Sequence, residues 1–168
     1  SRMEFKKGDI YGTHRVISPK GVLPQPADVI DNTMEIYDNE VLIEVHTLNI
    51  DSASFTEIER RAEGDIEEIK KIIMNIVETT GKHKNPWTGS GGMLIGKVKA
   101  IGPNFEGDLR VGDKIATLVS LSLTPLKIEE IKEVRPEIDQ VDVKGEAILF
   151  QSGLYGILPK DMPKELAL

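Results

Sequence analysis

Apolar and polar positions alternate in several short segments of this chain. Residues 41–48 are dense in apolar side chains but are interrupted by Glu44 and His46, which is typical of a strand with one face partly buried. Further strands are predicted where Gly, Pro or Asp bounds a short apolar run, at residues 94–101, 114–119, 145–150 and 154–158. The pattern predicts a mainly β fold with inserted helices (α+β), arranged as a partly open β-barrel.

One segment follows a helical period instead. Apolar residues recur at helical spacing between Ile66 and Val77, so one face of this helix must pack against another element. Asp65 is placed to cap the first turn, and Gly81 is placed to end the helix in the left-handed conformation.

Two shorter helices are predicted on either side of this one. The first covers residues 54–61 and is broken by Gly64. The second covers residues 126–133, because Pro125 is suited to open a helix and Pro136 to close it.

Composition and charge restrict the classes of function. With 39% hydrophobic and 29% charged residues among 168, the chain has the make-up of a globular protein with one substantial core. Its formal charge of −7 disfavours nucleic acid and anionic membranes as partners, because both carry the same sign of charge. No apolar run reaches the roughly 18 residues of a transmembrane helix, and no signal-peptide core is present, so a cytoplasmic protein is expected.

Residues 96–116 carry a first family resemblance. A strand leads into Gly102-Pro103, an acidic turn follows, and Val-Gly-Asp-Lys at residues 111–114 opens the next strand. This order resembles the GroES-like catalytic domain of the medium-chain dehydrogenase/reductase superfamily. Residues 41–51 are similar to the first barrel strand of that domain and to the loop that faces its substrate.

A narrower resemblance extends from Asn49 to Lys127. The runs at residues 49–55, 88–96 and 114–126 are similar to the L-erythro-3,5-diaminohexanoate dehydrogenase family of bacterial lysine fermentation. The resemblance implies the substrate domain of an NAD-dependent enzyme that converts this small diamino acid to 5-amino-3-oxohexanoate and releases ammonia. It also implies a homo-oligomer for the full-length enzyme.

The same resemblance implies a domain organisation. Residues 1–168 are expected to form one GroES-like substrate domain, in which residues 160–168 begin the connection to a missing Rossmann domain. The glycine cluster at residues 89–92 lacks the third glycine of G-x-G-x-x-G, and it precedes a strand where the fingerprint should follow one. NAD is therefore expected to be bound mainly by the missing domain, and this chain alone is expected to be inactive.

Zinc is disfavoured by the residue types present. The chain has no cysteine, which removes every thiolate ligand for a catalytic or structural zinc. By the resemblance, Asp51 stands in the place of the first zinc ligand, and Gly92 and Met93 stand in the places of the histidine and carboxylate ligands. Neither glycine nor methionine replaces those ligands, so no metal is expected and the resemblance moves to the zinc-independent branch.

Asp51 is the first candidate for a catalytic carboxylate. Oxidation of a carbon that bears an ammonium requires a proton to leave the nitrogen, and a nearby carboxylate can hold the cation and accept that proton. The alternative is structural, because aspartate in an Asn-x-Asp turn often caps its own backbone. Asn49 and Ser52 lie on the same predicted loop and are candidates to orient substrate or water, with capping again as the alternative.

His83 is the second catalytic candidate. It follows the predicted long helix, in a loop that also contains two lysines and Trp87, a combination suited to a carboxylate or a phosphate. The alternative is a helix C-terminus whose cations complement the helix dipole, with Trp87 simply packed.

Substrate contacts are expected from the two loops that border the cleft in the resembling superfamily. Added to Asn49 and Ser52, the candidates are Ser54, Thr88, Ser90, Gly91 and Gly92. Glycine allows a ligand to approach the backbone closely, although a turn before the next strand would require these glycines equally.

Two other functions are compatible with the sequence. A zinc-free quinone or enone reductase of the same superfamily would act on a conjugated carbonyl, and its site would need no carboxylates. A non-catalytic GroES-like assembly module is the other alternative, although the insertion at residues 54–85 does not suit a minimal ring subunit.

Overall fold

The computed structural model describes residues 4–160. Of the predicted connection at residues 160–168, all but the first residue lies outside the described residues. The strands are β1 (Val16–Ser18), β2 (Val29–Ile30), β3 (Val41–Ile50), β4 (Gly92–Ile101), β5 (Lys114–Thr117), β6 (Leu126–Arg135), β7 (Gln140–Leu149) and β8 (Tyr155–Ile157). The helices are α1 (Ser52–Arg61) and α2 (Ile66–Thr80), with short 3-10 turns at Thr13–Arg15, Leu121–Leu123 and Pro136–Ile138.

Most of the strands form one antiparallel sheet. Its hydrogen-bonded order is β6, β7, β3, β4, β5 and β8, while β1 and β2 pair separately. Within residues 4–160 this order is linear, so the sheet is open rather than closed into a barrel. The predicted class, mainly β with inserted helices, is confirmed.

The core lies against the buried face of β3, the strand at the centre of this sheet. Val41, Ile43 and Val45 are at most 1% exposed, because β3 has β4 on one side and β7 on the other. Burying such side chains stabilises a fold by roughly 1.5–3 kcal/mol each, and β3 contributes several of them to the central core.

Helix α2 is the predicted long helix, and its ends are formed as expected. The Asp65 carboxylate accepts a hydrogen bond from the Glu67 N–H, and Gly81 ends the helix at φ 80° while its N–H donates to the Val77 carbonyl. The buried face of α2 packs against β6, so the predicted apolar stripe is satisfied within the domain.

The predicted helix at residues 126–133 is wrong, because this segment is strand β6. Its register against β7 shifts between Ile128 and Glu130 and again between Ile131 and Glu133, so each shift adds one residue to β6. Each bulge adds a residue between two side chains that point to the same face, so the spacing of the apolar residues rises from two to three. The apolar positions then imitate the spacing of a helix.

The predicted boundaries near the candidate site also differ from the structure. Helix α1 begins at Ser52 rather than at residue 54, so Ser52 and Ser54 lie in its first turn and not in a loop. Asn49 was also predicted to lie in a loop, but it lies within β3, because the strand continues to Ile50. Within residues 4–160, no helix is long and apolar enough to cross a bilayer.

A buried ion pair attaches the N-terminal segment to the start of β3. The Arg15 guanidinium contacts both carboxylate oxygens of Glu40 at 2.7 and 2.8 Å, and both side chains are fully buried. His14 adds a contact of 2.8 Å from its Nε2 to Glu40. Although burial alone would raise the pKa of Glu40, the hydrogen bonds from Arg15 and His14 hold it below its usual value.

We expect Glu40→Gln to destabilise the domain by about 3–5 kcal/mol, because it leaves the Arg15 charge buried without its partner. A carboxylate with a lowered pKa in the folded state stabilises the fold above its unfolded pKa and loses that effect as the pH falls. The difference between wild type and variant should therefore shrink below about pH 4.5. Urea unfolding at several pH values measures this.

Glu129→Gln is the matched control, since Glu129 forms an exposed ion pair with Lys144. Its unfolding midpoint should stay at the wild-type value. Equal midpoints for Glu40→Gln and the control would contradict the structural role of the buried pair.

Candidate functional site

The end of β3 and the start of β4 meet at the N-terminus of α1. Asp51 is the N-cap residue of α1, and its N–H donates to the Gly91 carbonyl at 3.0 Å. In return, the Gly91 N–H donates to Oδ2 of Asp51 at 3.2 Å. The carboxylate is exposed and makes no hydrogen bond to its own helix. It links the start of α1 to the segment before β4 and does not cap its own backbone, which was the structural alternative.

A second link joins the same two segments one helical turn further along α1. The side-chain amide of Asn85 donates to the Ser54 hydroxyl at 2.9 Å and to the Ser54 carbonyl at 3.2 Å. Its Oδ1 accepts from the N–H groups of Trp87 and Thr88 at 2.8 and 3.1 Å. Asn85 and Ser54 are both fully buried, so the Ser54 hydroxyl is occupied inside the protein.

Sequence reasoning missed Asn85. An asparagine before a proline indicates a turn, and nothing local indicates that its side chain reaches α1.

Two hydroxyls lie at the rim of this arrangement. Thr88 Oγ1 lies 2.7 Å from Ser90 Oγ and also accepts from the Ser90 N–H at 3.3 Å. Thr88 is exposed and Ser90 is half-buried, and Ser90 directly precedes Gly91, the residue bonded to the Asp51 carboxylate.

Gly91 and Gly92 are both buried, and each has a packing reason to be glycine. A Cβ on Gly91 would lie 2.6 Å from the Ser122 backbone nitrogen, and a Cβ on Gly92 would lie 2.1 Å from the Asn49 carbonyl oxygen. Gly92 also has φ 140°, which disfavours any side chain. The groups that approach these glycines closely belong to the protein itself. This agrees with the alternative interpretation, in which the turn before β4 requires glycine.

Asn49 and Ser52 contact a third segment, the tight turn between β6 and β7. Oδ1 of Asn49 accepts from the Gln140 side chain at 3.3 Å, and the Ser52 hydroxyl lies near the Asp139 carboxylate. Burial raises the pKa of Asp139, although the Ser52 hydroxyl lowers it in part.

Asp139 is a second carboxylate near the first turn of α1, and sequence reasoning missed it. Its carbonyl accepts from the Ile50 N–H at 2.8 Å, and it lies in the left-handed conformation at φ 56°. Aspartate tolerates this conformation better than most residues, which is the one local signal that marks the position.

The structure places His83 inside the protein, two residues before the loop of residues 85–91. Its ring is fully buried, and neither ring nitrogen has a hydrogen-bond partner among residues 4–160. Burial lowers the pKa of His83 to about 4, which keeps the imidazole neutral at pH 7. The ring therefore does not share the surface on which Asp51 is exposed.

The cations around His83 are used to attach the loop. Lys82 donates to the carbonyls of Pro24 and Gln25 at 2.6 and 3.1 Å, and Lys84 donates to Gln25 at 2.9 Å. Burial, with the charge of Lys84 beside it, lowers the pKa of Lys82 to about 8.

Trp87 is not packed in the interior. It is 43% exposed, and the Arg61 guanidinium lies 3.7 Å from the centre of its ring.

Comparison with known proteins identifies the family. Residues 14–159 match the family model described as the L-erythro-3,5-diaminohexanoate dehydrogenase N-terminal domain. The chain belongs to this family. The narrower of the two resemblances seen in the sequence is thereby confirmed.

Two curated relatives carry the name L-erythro-3,5-diaminohexanoate dehydrogenase. The protein from Fusobacterium nucleatum subsp. nucleatum is 65% identical over 166 residues, which cover 98% of this chain and 48% of that protein. The protein from Acetoanaerobium sticklandii is 61% identical over 164 residues, which cover 96% of this chain and 48% of that protein. The chain spans about half the length of the curated relatives it matches.

In this member of the diaminohexanoate dehydrogenase family, we expect Gly92→Ala to disrupt the pairing of β3 with β4. The new Cβ would clash with the Asn49 carbonyl in addition to the cost of about 1–3 kcal/mol for its unusual backbone conformation. Thermal unfolding of purified protein measures the loss.

Gly89→Ala is the matched control, because Gly89 has φ 73° but a Cβ added there would meet nothing within 4 Å. It should lose only about 1–2 kcal/mol, the cost of the left-handed conformation alone. Equal losses for the two variants would contradict the packing role of Gly92.

Proposed function

We propose that this chain is the substrate domain of an NAD-dependent L-erythro-3,5-diaminohexanoate dehydrogenase. The observation that carries the proposal is the match of residues 14–159 to the N-terminal domain of that family. The exposed Asp51 carboxylate, hydrogen-bonded to the Gly91 N–H at the start of α1, supplies a group suited to an amine substrate.

The proposed net reaction is an oxidative deamination at carbon 3 of the diamino acid. A carbon bearing hydrogen and ammonium reacts with NAD⁺ and water to give a ketone, NADH, ammonium and a proton. The product is 5-amino-3-oxohexanoate. Of this reaction, the residues of this chain account for recognition of the amine and removal of its proton.

The residues of this chain do not fit the pyrophosphate of NAD. The glycine cluster at residues 89–92 precedes β4 and opens no helix, and Gly91 and Gly92 are packed against protein groups. We assign NAD binding to the half of the relatives' length that this chain does not span. No step through the cofactor is built on these residues.

Asp51 has the features needed at the amine end of the reaction. Its carboxylate is exposed, so a substrate ammonium can reach it, and the Gly91 N–H holds Oδ2 in place. A carboxylate beside an ammonium attracts the cation and can accept its proton as the amine is oxidised. Thr88 and Ser90 provide neutral hydroxyls on the same rim for the rest of a small polar substrate.

Several finer assignments belong to the same proposal. They are membership of the zinc-independent branch of the medium-chain dehydrogenase/reductase superfamily with a GroES-like domain, a role in lysine fermentation, a cytoplasmic location and a homo-oligomer at full length. The charge of −7 supports the absence of nucleic-acid and membrane partners. The quinone reductase and assembly-module alternatives have no comparable support, because the relatives are named as diaminohexanoate dehydrogenases.

In the full-length enzyme, Asp51→Asn should lower kcat/KM for the diamino acid by about 100-fold or more, the usual contribution of a positioned general base. The amide can still accept the bond from Gly91, so the fold should be kept. Steady-state kinetics with a melting curve measures both effects.

Asp65→Asn is the matched control, because Asp65 caps α2 and asparagine caps a helix equally well. A stable Asp51→Asn enzyme with wild-type turnover would return Asp51 to a structural role.

The protein is expected to bind no stoichiometric zinc. Among residues 4–160, no three His, Cys, Asp or Glu side chains are grouped closely enough to hold a metal ion, and the whole chain lacks cysteine. Elemental analysis of protein purified without chelator tests this. One zinc per chain, lost on Asp51→Asn substitution, would contradict the expectation.

A further inference from the structure

One buried side chain uses all of its hydrogen-bonding groups to hold the candidate site together. A side-chain amide has two N–H donors and one oxygen with two lone pairs. In Asn85 the side-chain nitrogen donates to the hydroxyl and the carbonyl of Ser54, and the oxygen accepts from the N–H groups of Trp87 and Thr88. Its backbone N–H donates to the Ser90 carbonyl at 2.8 Å, which closes the neck of the loop.

The contacts of Asn85 complement those of Asp51. The loop of residues 85–91 is hydrogen-bonded to the start of α1 at two points, Asn85 to Ser54 and Gly91 to Asp51, and the Trp87 ring also contacts Arg61 at the end of α1. Residues 51 and 54 are about one turn apart on a helix, so the loop lies along the first turn of α1. The Asn85 side chain is the buried one of these attachments, so it is the contact that holds the middle of the loop against the first turn of α1.

We propose that Asn85 is a positioning residue that fixes the loop of residues 86–91 against α1 and thereby orients the Asp51 carboxylate. Asn85 is fully buried, so it acts through Gly91, Thr88 and Ser90 rather than on a substrate. The catalytic consequence rests on the proposed function, whereas the positioning of the loop does not.

The residue type matches this role. Alanine would remove both acceptor bonds and both donor bonds, and would leave two N–H groups of the loop without partners. Aspartate would keep the acceptors, but it would lose both donors to Ser54 and bury a charge. Only an amide of this length satisfies the loop and the helix together.

Trp87 offers a direct measurement of loop position, because it is the one tryptophan in the chain and follows Asn85 by two residues. Released from Asn85, the indole should move away from Arg61 and become more exposed. Because the ring is 43% exposed now, Asn85→Ala should raise the acrylamide quenching constant by about twofold. The emission maximum should move to longer wavelength.

Asn75→Ala is the matched control, since Asn75 is exposed on α2 and the same atoms are removed. It should leave quenching unchanged. If Asn85→Ala does not fold, Ser54→Ala provides the second test, because it removes one acceptor of Asn85 and keeps the carbonyl. It should shift quenching in the same direction by a smaller amount, and unchanged quenching in folded Ser54→Ala and Asn85→Ala would overturn the proposal.

Kinetics of the full-length enzyme test whether the loop orients Asp51. Asn85→Ala should raise KM for the diamino acid and lower kcat/KM by about 10- to 100-fold, in line with a displaced catalytic group. A purely structural loss would instead lower the amount of active enzyme and leave KM unchanged, which would overturn the link to Asp51.

The double variant decides the connection. If Asn85 acts through Asp51, adding Asn85→Ala to the Asp51→Asn enzyme should lower kcat/KM much less than Asn85→Ala lowers it in the wild-type enzyme. Full additivity would overturn that connection. If wild-type enzyme turned over no diamino acid, the proposed function would fail, while the quenching of Trp87 would still judge the positioning role.

Discussion

The pairing of β3 on both of its edges is the constraint on which the rest of this structure depends. From Val41 to Ile50 the strand is bonded to β4 on one side and to β7 on the other, and its inward side chains form the centre of the core. The end of this strand delivers Asp51 to the start of α1. Because β4 begins opposite the end of β3, strand pairing alone brings Gly91 and Gly92 beside Asp51.

The groups around the candidate site divide by exposure into two kinds. The Asp51 carboxylate and the Thr88 hydroxyl face solvent, whereas Asn85, Ser54 and His83 are fully buried beneath them. Buried polar groups are costly unless they are hydrogen-bonded, and Asn85 meets that requirement completely. Neither ring nitrogen of His83 has a partner among residues 4–160, and burial keeps its imidazole neutral.

The N-terminal segment is bonded to the elements that lead into the site. Arg15 and Glu40 attach this segment to the start of β3, and Lys82 and Lys84 reach from the end of α2 to the carbonyls of Pro24 and Gln25. A lysine buried in this way loses hydration and must find carbonyl partners, which explains its short contacts. The cations that resemble an anion site in the sequence therefore serve to hold two segments of the chain together.

The sequence by itself determined the features that depend on local order. The period of α2, its Asp65 cap and its Gly81 stop are visible because a helix is built from neighbours in the chain, and the runs from Asn49 onward were enough to indicate the family. Tertiary structure decided the rest. The bulges of β6 arise only from its register against β7, and Asn85 and Asp139 acquire their roles from partners far away in the chain. Strand order chooses such partners, and no local pattern of residues encodes it.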